Sequence, residues 1–221
     1  MAVKRHFGMV SWTEGPDDDI RLRKASSIER YRELLADDVR LYTYLQFLFF
    51  RQWNALRDYA HERRVRILGD LPIYVALDSA DVWASPQWFQ LDQDNVPTGV
   101  AGVPPDYFSA DGQLWGNPLY DYRAMARDDY GWWIKRIGGV SRLYDAIRID
   151  HFRGFESYWA VPYGDTTAKR GTWVKGPGMD LVGLLSKTYP DLFFIAEDLG
   201  YPTPEVSKLL ADSGFPGMKV L

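Results

Sequence analysis

No cysteine occurs in this chain of 221 residues, so disulfides and thiolate metal sites are excluded from it. The same absence does not fix a compartment. Histidine is almost as scarce: the three at positions 6, 61 and 151 are too scattered to make a zinc motif, and no metal or cofactor is expected. There is no long apolar run either. Leu41 to Phe50 is the most apolar stretch, but it carries Gln46 and stops at Arg51, too short to cross a bilayer. Met1 to Val10 lacks the apolar core of a signal peptide. With a net charge of −4 and scattered basic residues, the chain has no electrostatic footprint for nucleic acid or an anionic membrane. No glycine-rich phosphate loop follows an apolar segment, and Gly176-Pro-Gly178 reads as a turn. Internal repeats and low-complexity tracts are missing as well.

What is present is enough apolar material, 46% of residues, to bury one substantial core. Aromatics reach 15%, with nine Trp and fourteen Tyr. Such rings stack on sugar C–H faces as readily as on one another, so core filling and ligand platforms both remain open.

The most informative stretch is Asp145-Ala-Ile-Arg-Ile-Asp-His-Phe-Arg-Gly-Phe155. Side chains alternate along a strand, so Ala146, Arg148 and Asp150 share one face while Ile147 and Ile149 take the other. A buried Arg and Asp cost several kcal/mol, on that order, unless paired or facing a wet cavity. A buried structural ion pair and a functional site both fit this strand taken alone. Two further apolar segments end the same way: Val65-Arg-Ile-Leu-Gly-Asp70 delivers Asp70, and Leu192-Phe-Phe-Ile-Ala-Glu-Asp198 delivers Glu197 and Asp198. Packing would prefer apolar residues there. Three strands that each end in an acid read as parts of one mouth, the place where a (β/α)₈ barrel gathers its catalytic groups. Paired carboxyl groups roughly 5–5.5 Å apart are what a retaining glycosidase requires.

Taken in order, residues 1–25 show no regular period, and Asp17 to Asp19 read as a solvated turn. Ser26-Ser-Ile-Glu29 has capping-box spacing, which predicts a helix to about Leu35. From Val39 to about Arg63, Leu41, Leu45, Leu48, Phe49, Trp53, Leu56 and Ala60 recur at helical steps, predicting a long helix with that stripe buried. After the strand at Val65 to Gly69, residues 71–121 form an unusually long connection, read as a functional loop or small subdomain. Within it, Gln87 to Asp92 and Val96 to Val100 are expected to pair across Asp92-Gln-Asp-Asn95, a turn that lacks the full EF-hand pattern. Tyr122 to Leu143 reads as helix interrupted at Gly138-Gly139, Phe155 to Gly178 as an aromatic loop, and Met179 to Tyr189 as helix closed by Pro190. Thr203 and Pro204 open a last helix that Gly214 ends, and Met218 to Leu221 begins a fourth strand. Helices alternating with strands call for an α/β fold with a parallel sheet: a partial (β/α)₈ barrel, with an open α/β sheet as the competing architecture.

The motifs now resemble a family, the amylomaltases or 4-α-glucanotransferases, relatives of the α-amylases. The resemblance rests on Gly69-Asp-Leu-Pro-Ile-Tyr-Val75, Asp78-Ser-Ala-Asp-Val-Trp83, Ala101-Gly-Val-Pro-Pro-Asp-Tyr-Phe108, Gly112-Gln-Leu-Trp-Gly-Asn-Pro118, Arg148-Ile-Asp-His-Phe-Arg-Gly154, Ala196-Glu-Asp-Leu-Gly200 and Gly214-Phe-Pro-Gly-Met-Lys-Val220. Together these cover nearly the whole chain. The resemblance implies transfer of α-1,4-glucan segments between maltooligosaccharides with retention, Asp150 as nucleophile and Glu197 as general acid/base. Arg148 would keep Asp150 ionised and oriented. Asp70 matches a sugar-contacting position, and Asp106, Tyr107, Phe108, Gln113, Trp115 and Asn117 match a loop lining the glucan groove. His151 is placed with them among the substrate-binding residues, read as a packed, hydrogen-bonded neighbour of the site rather than a catalytic group.

One departure stands out. The family's third carboxylate, in a His-Asp-Asn segment, has no counterpart here. The chain is therefore expected to be a fragment carrying about strands three to six of a barrel, with little or no activity alone. A retaining α-glucan hydrolase and a non-catalytic glucan-binding remnant are the rival readings. Residence in bacterial cytoplasm or in a plastid follows from the resemblance as an expectation, and oligomeric state is left open.

Overall fold

The computed structural model describes residues 1–200 and 203–219. Two sheets organise them. The first is parallel, with β1 (Leu68–Pro72), β4 (Ala146–Asp150) and β7 (Phe193–Ala196) in the order β1-β4-β7. The second is antiparallel, in the order β3-β2-β5-β6, built from β2 (Gly99–Val103), β3 (Gln113–Pro118), β5 (Ser157–Pro162) and β6 (Thr172–Lys175). Helices α1 (Ala2–His6), α2 (Asp18–Arg21), α3 (Ala25–Leu34) and α4 (Ala36–Glu62) precede β1. Then come α5 (Ala80–Ala84), α6 (Tyr122–Arg127), α7 (Gly131–Ser141), α8 (Met179–Thr188) and α9 (Pro204–Ser213).

The parallel sheet follows from the alternation in β4. Ile147 and Ile149 are buried, while Arg148 and Asp150 stay partly accessible on the other side. Parallel pairing needs a crossover, and α7 and α8 supply the apolar cover: Trp133, Ile137, Leu181 and Leu185 join the two isoleucines in one core. Register aligns the site. Asp70 of β1 lies opposite Arg148, and Ile149 of β4 lies opposite Ala196, so the acids leave adjacent strands at one end. Gly69 is required beneath them, because a Cβ there would stand 2.0 Å from the Tyr144 ring.

Several expectations are corrected. The long helix runs from Ala36 to Glu62, yet none of its residues is buried. Leu41, Leu45, Phe49 and Leu56 are exposed, while Trp53 and Ala60 are half-buried. Near its start Tyr42 packs on the small core of Ala2, Ile20 and Tyr31, and further along Trp53 Nε1 donates to Leu143 O at 2.9 Å and Arg57 to Arg142 O at 2.6 Å. Nothing among the described residues packs on its outer apolar side. The capping box does not form: Ser26 lies inside α3, whose cap is Lys24, without a side-chain bond. Within residues 1–25 lie two short helices, and Asp17 caps α2, accepting from the Asp19 and Ile20 N–H groups and from the Tyr31 hydroxyl.

The stretch expected to be one helix from Tyr122 is two, separated where Asp129 and Tyr130 adopt left-handed backbone, while Gly138 and Gly139 lie unbroken inside α7. The 92–95 turn forms, with Leu91 bridged to Pro97. Val100, however, belongs to β2, and the aromatic loop after Phe155 holds β5 and β6. The second sheet is thus assembled from two connections, residues 99–118 and 157–175. The Thr203 cap, with Pro204 behind it, and the left-handed Gly214 stop are as expected. The fourth parallel strand is not seen at Met218 and Lys219, and residues 220 and 221 lie outside the described residues.

Asp145 ties α4 to the sheet below the site. Its carboxylate accepts from Ile67 N–H at 2.8 Å and sits 2.8 Å from His61 Nε2. Burial pushes its carboxyl up, but the Ile67 N–H and His61 outweigh this and hold it below the ordinary value of 3.8. A carboxyl depressed in the fold contributes stability above the unfolded value and loses it as pH falls through the folded one. Asp145→Ala should therefore cost about 1–3 kcal/mol at pH 7, where the Ile67 N–H loses its acceptor. Urea unfolding at pH 7 and pH 3 should show that gap to the parent chain narrowing under acid.

Candidate active site

Four side chains converge at the carboxyl ends of the parallel strands. Arg148 donates from Nη1 to Asp70 Oδ1 at 2.6 Å and from Nη2 to Asp150 Oδ1 at 2.9 Å. The bond to Asp70, followed by the pull of both carboxylates, raises the guanidinium above its ordinary value, so it is a fixed cation at any working pH. Glu197, the first residue after β7, is held from two sides. Its Oε2 accepts His151 N–H at 2.9 Å and its Oε1 accepts Leu199 N–H at 2.8 Å. Backbone pairing continues past the strand, with Glu197 N–H on Ile149 O and Phe152 N–H on Glu197 O. The residue next to Asp150 therefore bonds directly to the carboxylate of Glu197.

His151 makes that bond possible by adopting φ 53° and ψ 45°, left-handed backbone that turns its N–H across the gap. Such a conformation is uncommon outside glycine and marks a functional constraint where packing enforces it. The packing is visible: the imidazole meets the edge of Trp115 with ring centroids 4.8 Å apart and planes at 85°. Burial, then the nearby Arg153 charge, push His151 down to about 4. It is a neutral, packed wedge, and its Nε2 is buried without a hydrogen-bond partner among the described residues, where a hydrogen-bonded imidazole was expected.

The remaining expected residues divide. Trp115 and Gln113 come to the site together, Trp115 Nε1 donating to Gln113 Oε1 at 3.1 Å. Asn117 is engaged elsewhere, its amide donating to Val75 O at 3.0 Å, which clamps β3 to the segment after β1. Asp106 Oδ1 accepts from the N–H groups of Phe108 and Ser109, closing its own loop. Tyr107 and Phe108 stand out at that loop tip, 98% and 93% exposed, with ring contact only to each other among the described residues. They do not touch Asp150 or Glu197.

Three contributors escaped the sequence reading. Tyr74 is buried between Trp115 and Tyr120, stacked on the latter with planes at 16°. Arg136 on α7 donates to the carbonyls of Pro72 and Ile73, fixing the chain as it leaves β1. Met218 Sδ lies 3.1 Å from Arg148 Nε. Tyr74, inside the Gly69 to Val75 motif, and Met218, inside the Gly214 to Val220 motif, carried a local signal; Arg136 carried none.

An end-of-strand carboxylate pair, an arginine between two acids and an aromatic wall are now in place, and the sequence matches the 4-alpha-glucanotransferase family over residues 1–221. The chain belongs to that family. It is 52% identical over 221 residues to the 4-alpha-glucanotransferase of Streptococcus pneumoniae, covering 100% of this chain and 44% of that protein. The Thermus thermophilus 4-alpha-glucanotransferase is 47% identical, again with 100% and 44% covered. Amylomaltase from Streptococcus agalactiae, solved in complex with acarbose, superposes with a TM-score of 0.96 at 43% identity, over 100% of this chain and 44% of that one. The chain thus spans under half the length of these family members. Among the described residues no helix is long and apolar enough to cross a membrane.

The low value at His151 has a sign that can be checked. Its unfolded value is near 6.5 and its folded value about 4, so between these the unfolded chain binds the extra proton and stability falls as pH drops. In ring-proton NMR, His151 should titrate with a midpoint near 4. His151→Asn should flatten the stability loss between pH 6 and 4.

Proposed function

We propose that this chain carries the catalytic pair of a 4-α-glucanotransferase, with Asp150 as nucleophile and Glu197 as general acid/base. The observation that carries the reading is the direct link between them: His151 N–H on Glu197 Oε2 and Arg148 on Asp150, both at the mouth of one parallel sheet. In the first step the Asp150 carboxylate attacks the anomeric carbon, the glycosidic C–O bond breaks, and the Glu197 proton goes to the leaving oxygen. In the second, Glu197 takes the proton of an incoming sugar hydroxyl, whose oxygen displaces Asp150 from the anomeric carbon. Retention follows from the two inversions. Arg148 aims Asp150, with Asp70 balancing the cation and presenting its accessible carboxylate to a sugar hydroxyl.

Substrates on this reading are α-1,4-glucans and maltooligosaccharides. Trp115 and Gln113 line the groove, with Asn117 and Asp106 holding the shape of the wall and His151 filling the gap behind it. The exposed Tyr107 and Phe108 are suited to close over a bound chain and exclude water, which favours a sugar acceptor over hydrolysis. Residues 71–121 act as the inserted substrate-binding arm. The sheet order β1-β4-β7, in which each parallel strand neighbours the next without reversal, supports a segment of a (β/α)₈ barrel. A bacterial cytoplasm or a plastid is the setting this reading supports, since relatives include bacterial proteins and a chloroplastic/amyloplastic one from Arabidopsis thaliana.

The test uses the complete protein that carries these residues. With α-maltosyl fluoride, whose leaving group needs no proton, Glu197→Gln should retain formation of the glycosyl-enzyme and be accelerated by azide. Asp150→Asn should lose at least about 10³-fold in rate with the fluoride and with maltotriose alike, as expected when the nucleophile is removed. Equal activity of the two variants on the fluoride would sink the assignment. Replacing both Tyr107 and Phe108 with Ala should lower the ratio of transfer to hydrolysis, read from new reducing ends formed during maltotriose disproportionation.

A further inference from the structure

We propose that Met218 is a positioning residue: its thioether sulfur holds the third side of the Arg148 guanidinium so that the cation stays aimed at Asp150. The inference rests on the reading of Asp150 as nucleophile. Arg148 presents three of its N–H directions to three partners, Nη1 to Asp70 at 2.6 Å, Nη2 to Asp150 at 2.9 Å and Nε to Met218 Sδ at 3.1 Å. A guanidinium is a rigid planar fork, so engaging both amino groups and Nε leaves it a single orientation. Releasing Nε would let the plane turn about its own stem. The group could then follow Asp70 alone.

The type of acceptor matters as much as its place. One positive charge is already shared between two carboxylates. A third anion at Nε would compete for that charge and draw it away from Asp150. An apolar group would leave a donor of a cation without a protein partner. A thioether is a weak, neutral, polarizable acceptor, so it takes the Nε–H without taking the charge.

Nothing in the local sequence places Met218 there, since it lies 70 residues from Arg148. The chain after α9 is folded back onto the end of β7. Ala196 N–H donates to Pro216 O at 2.9 Å, and Met218 N–H donates to Asp198 Oδ1 at 2.8 Å. Gly217 lets this happen: a Cβ at that position would stand 2.5 Å from Asp198 Oδ2. Asp198 follows Glu197 directly. The strand end that presents the proposed acid/base therefore also steers the proposed nucleophile, through Asp198, Met218 and Arg148.

The experiment compares Met218→Leu, which keeps the apolar volume without an acceptor, with Met218→Gln, which restores an oxygen. Asp150→Asn is carried alongside in the same complete protein. With α-maltosyl fluoride, Met218→Leu should lower kcat about three- to tenfold with KM little changed, the size expected for one modest hydrogen bond. In ¹⁵N–¹H spectra the Arg148 Nε–H signal should move and exchange faster with solvent. Met218→Gln should recover both. A Met218→Leu protein with the parent kcat, beside an inactive Asp150→Asn, overturns this inference alone. So does a loss in Met218→Leu that Met218→Gln fails to recover while the Arg148 signal stays in place, because the effect is then packing. If Asp150→Asn keeps its rate, the nucleophile reading falls and this inference falls with it.

Discussion

Arg148 is the group on which the arrangement at the sheet mouth depends. It sits on the middle strand with a carboxylate on either side, Asp70 across the β1 pairing and Asp150 two residues along its own strand. Without it, like charges at a crowded strand end would repel one another and splay apart. With the cation between them, both carboxylates are compensated while staying partly open to solvent. The ion pairs are too accessible to count for much in stability. Their weight lies in geometry, because they fix where a negative charge stands relative to the backbone bond between His151 and Glu197.

The second sheet matters for the same reason. It places Trp115 against His151, and His151 against the carboxylate of Glu197, so a wall built far from the acids in sequence restrains one of them. Tyr74, Tyr120 and Arg136 stiffen that wall from behind: the Tyr120 hydroxyl and the Arg136 guanidinium both donate to Ile73 O. By contrast, the Tyr107 and Phe108 tip is held through local turn bonds, to Asp106 Oδ1 and from Ser109 Oγ to Gly112 O. The wall is braced by packing from behind, while the tip stands in solvent.

The strand ends were legible because two signals coincide in them. Ile147 and Ile149 mark a buried face, and Arg148 and Asp150 mark what the other face must compensate. Glu197 and Asp70 were legible by the same pairing of an apolar run with a terminal acid. Period alone said less than it promised for α4. An amphipathic pattern identifies which side of a helix is apolar, and Leu45 and Phe49 lie on it, but covering that side is a tertiary matter. The antiparallel sheet was hidden because Gly99-Val-Ala-Gly-Val103 has neither alternation nor bulk, and its pairing is fixed by partners on β3 and β5. Met218 lies in a motif, Gly214 to Val220, but its contact with Arg148 was unreadable, because a sulfur contact between distant segments leaves no pattern in either one.

The order of the antiparallel sheet bears on how such a chain is made. Because β2 lies between β3 and β5, one of its edges stays bare until residues 157–162 have left the ribosome. A nascent polypeptide that stops short of them has Trp115 and its hairpin but no floor to set them on. Closing that gap spans more than fifty residues, from Gly102 to Trp159, a slow step by the cost of bringing distant segments together. Until that gap closes, the β2 edge that β5 will cover is open to pairing with a strand of another chain.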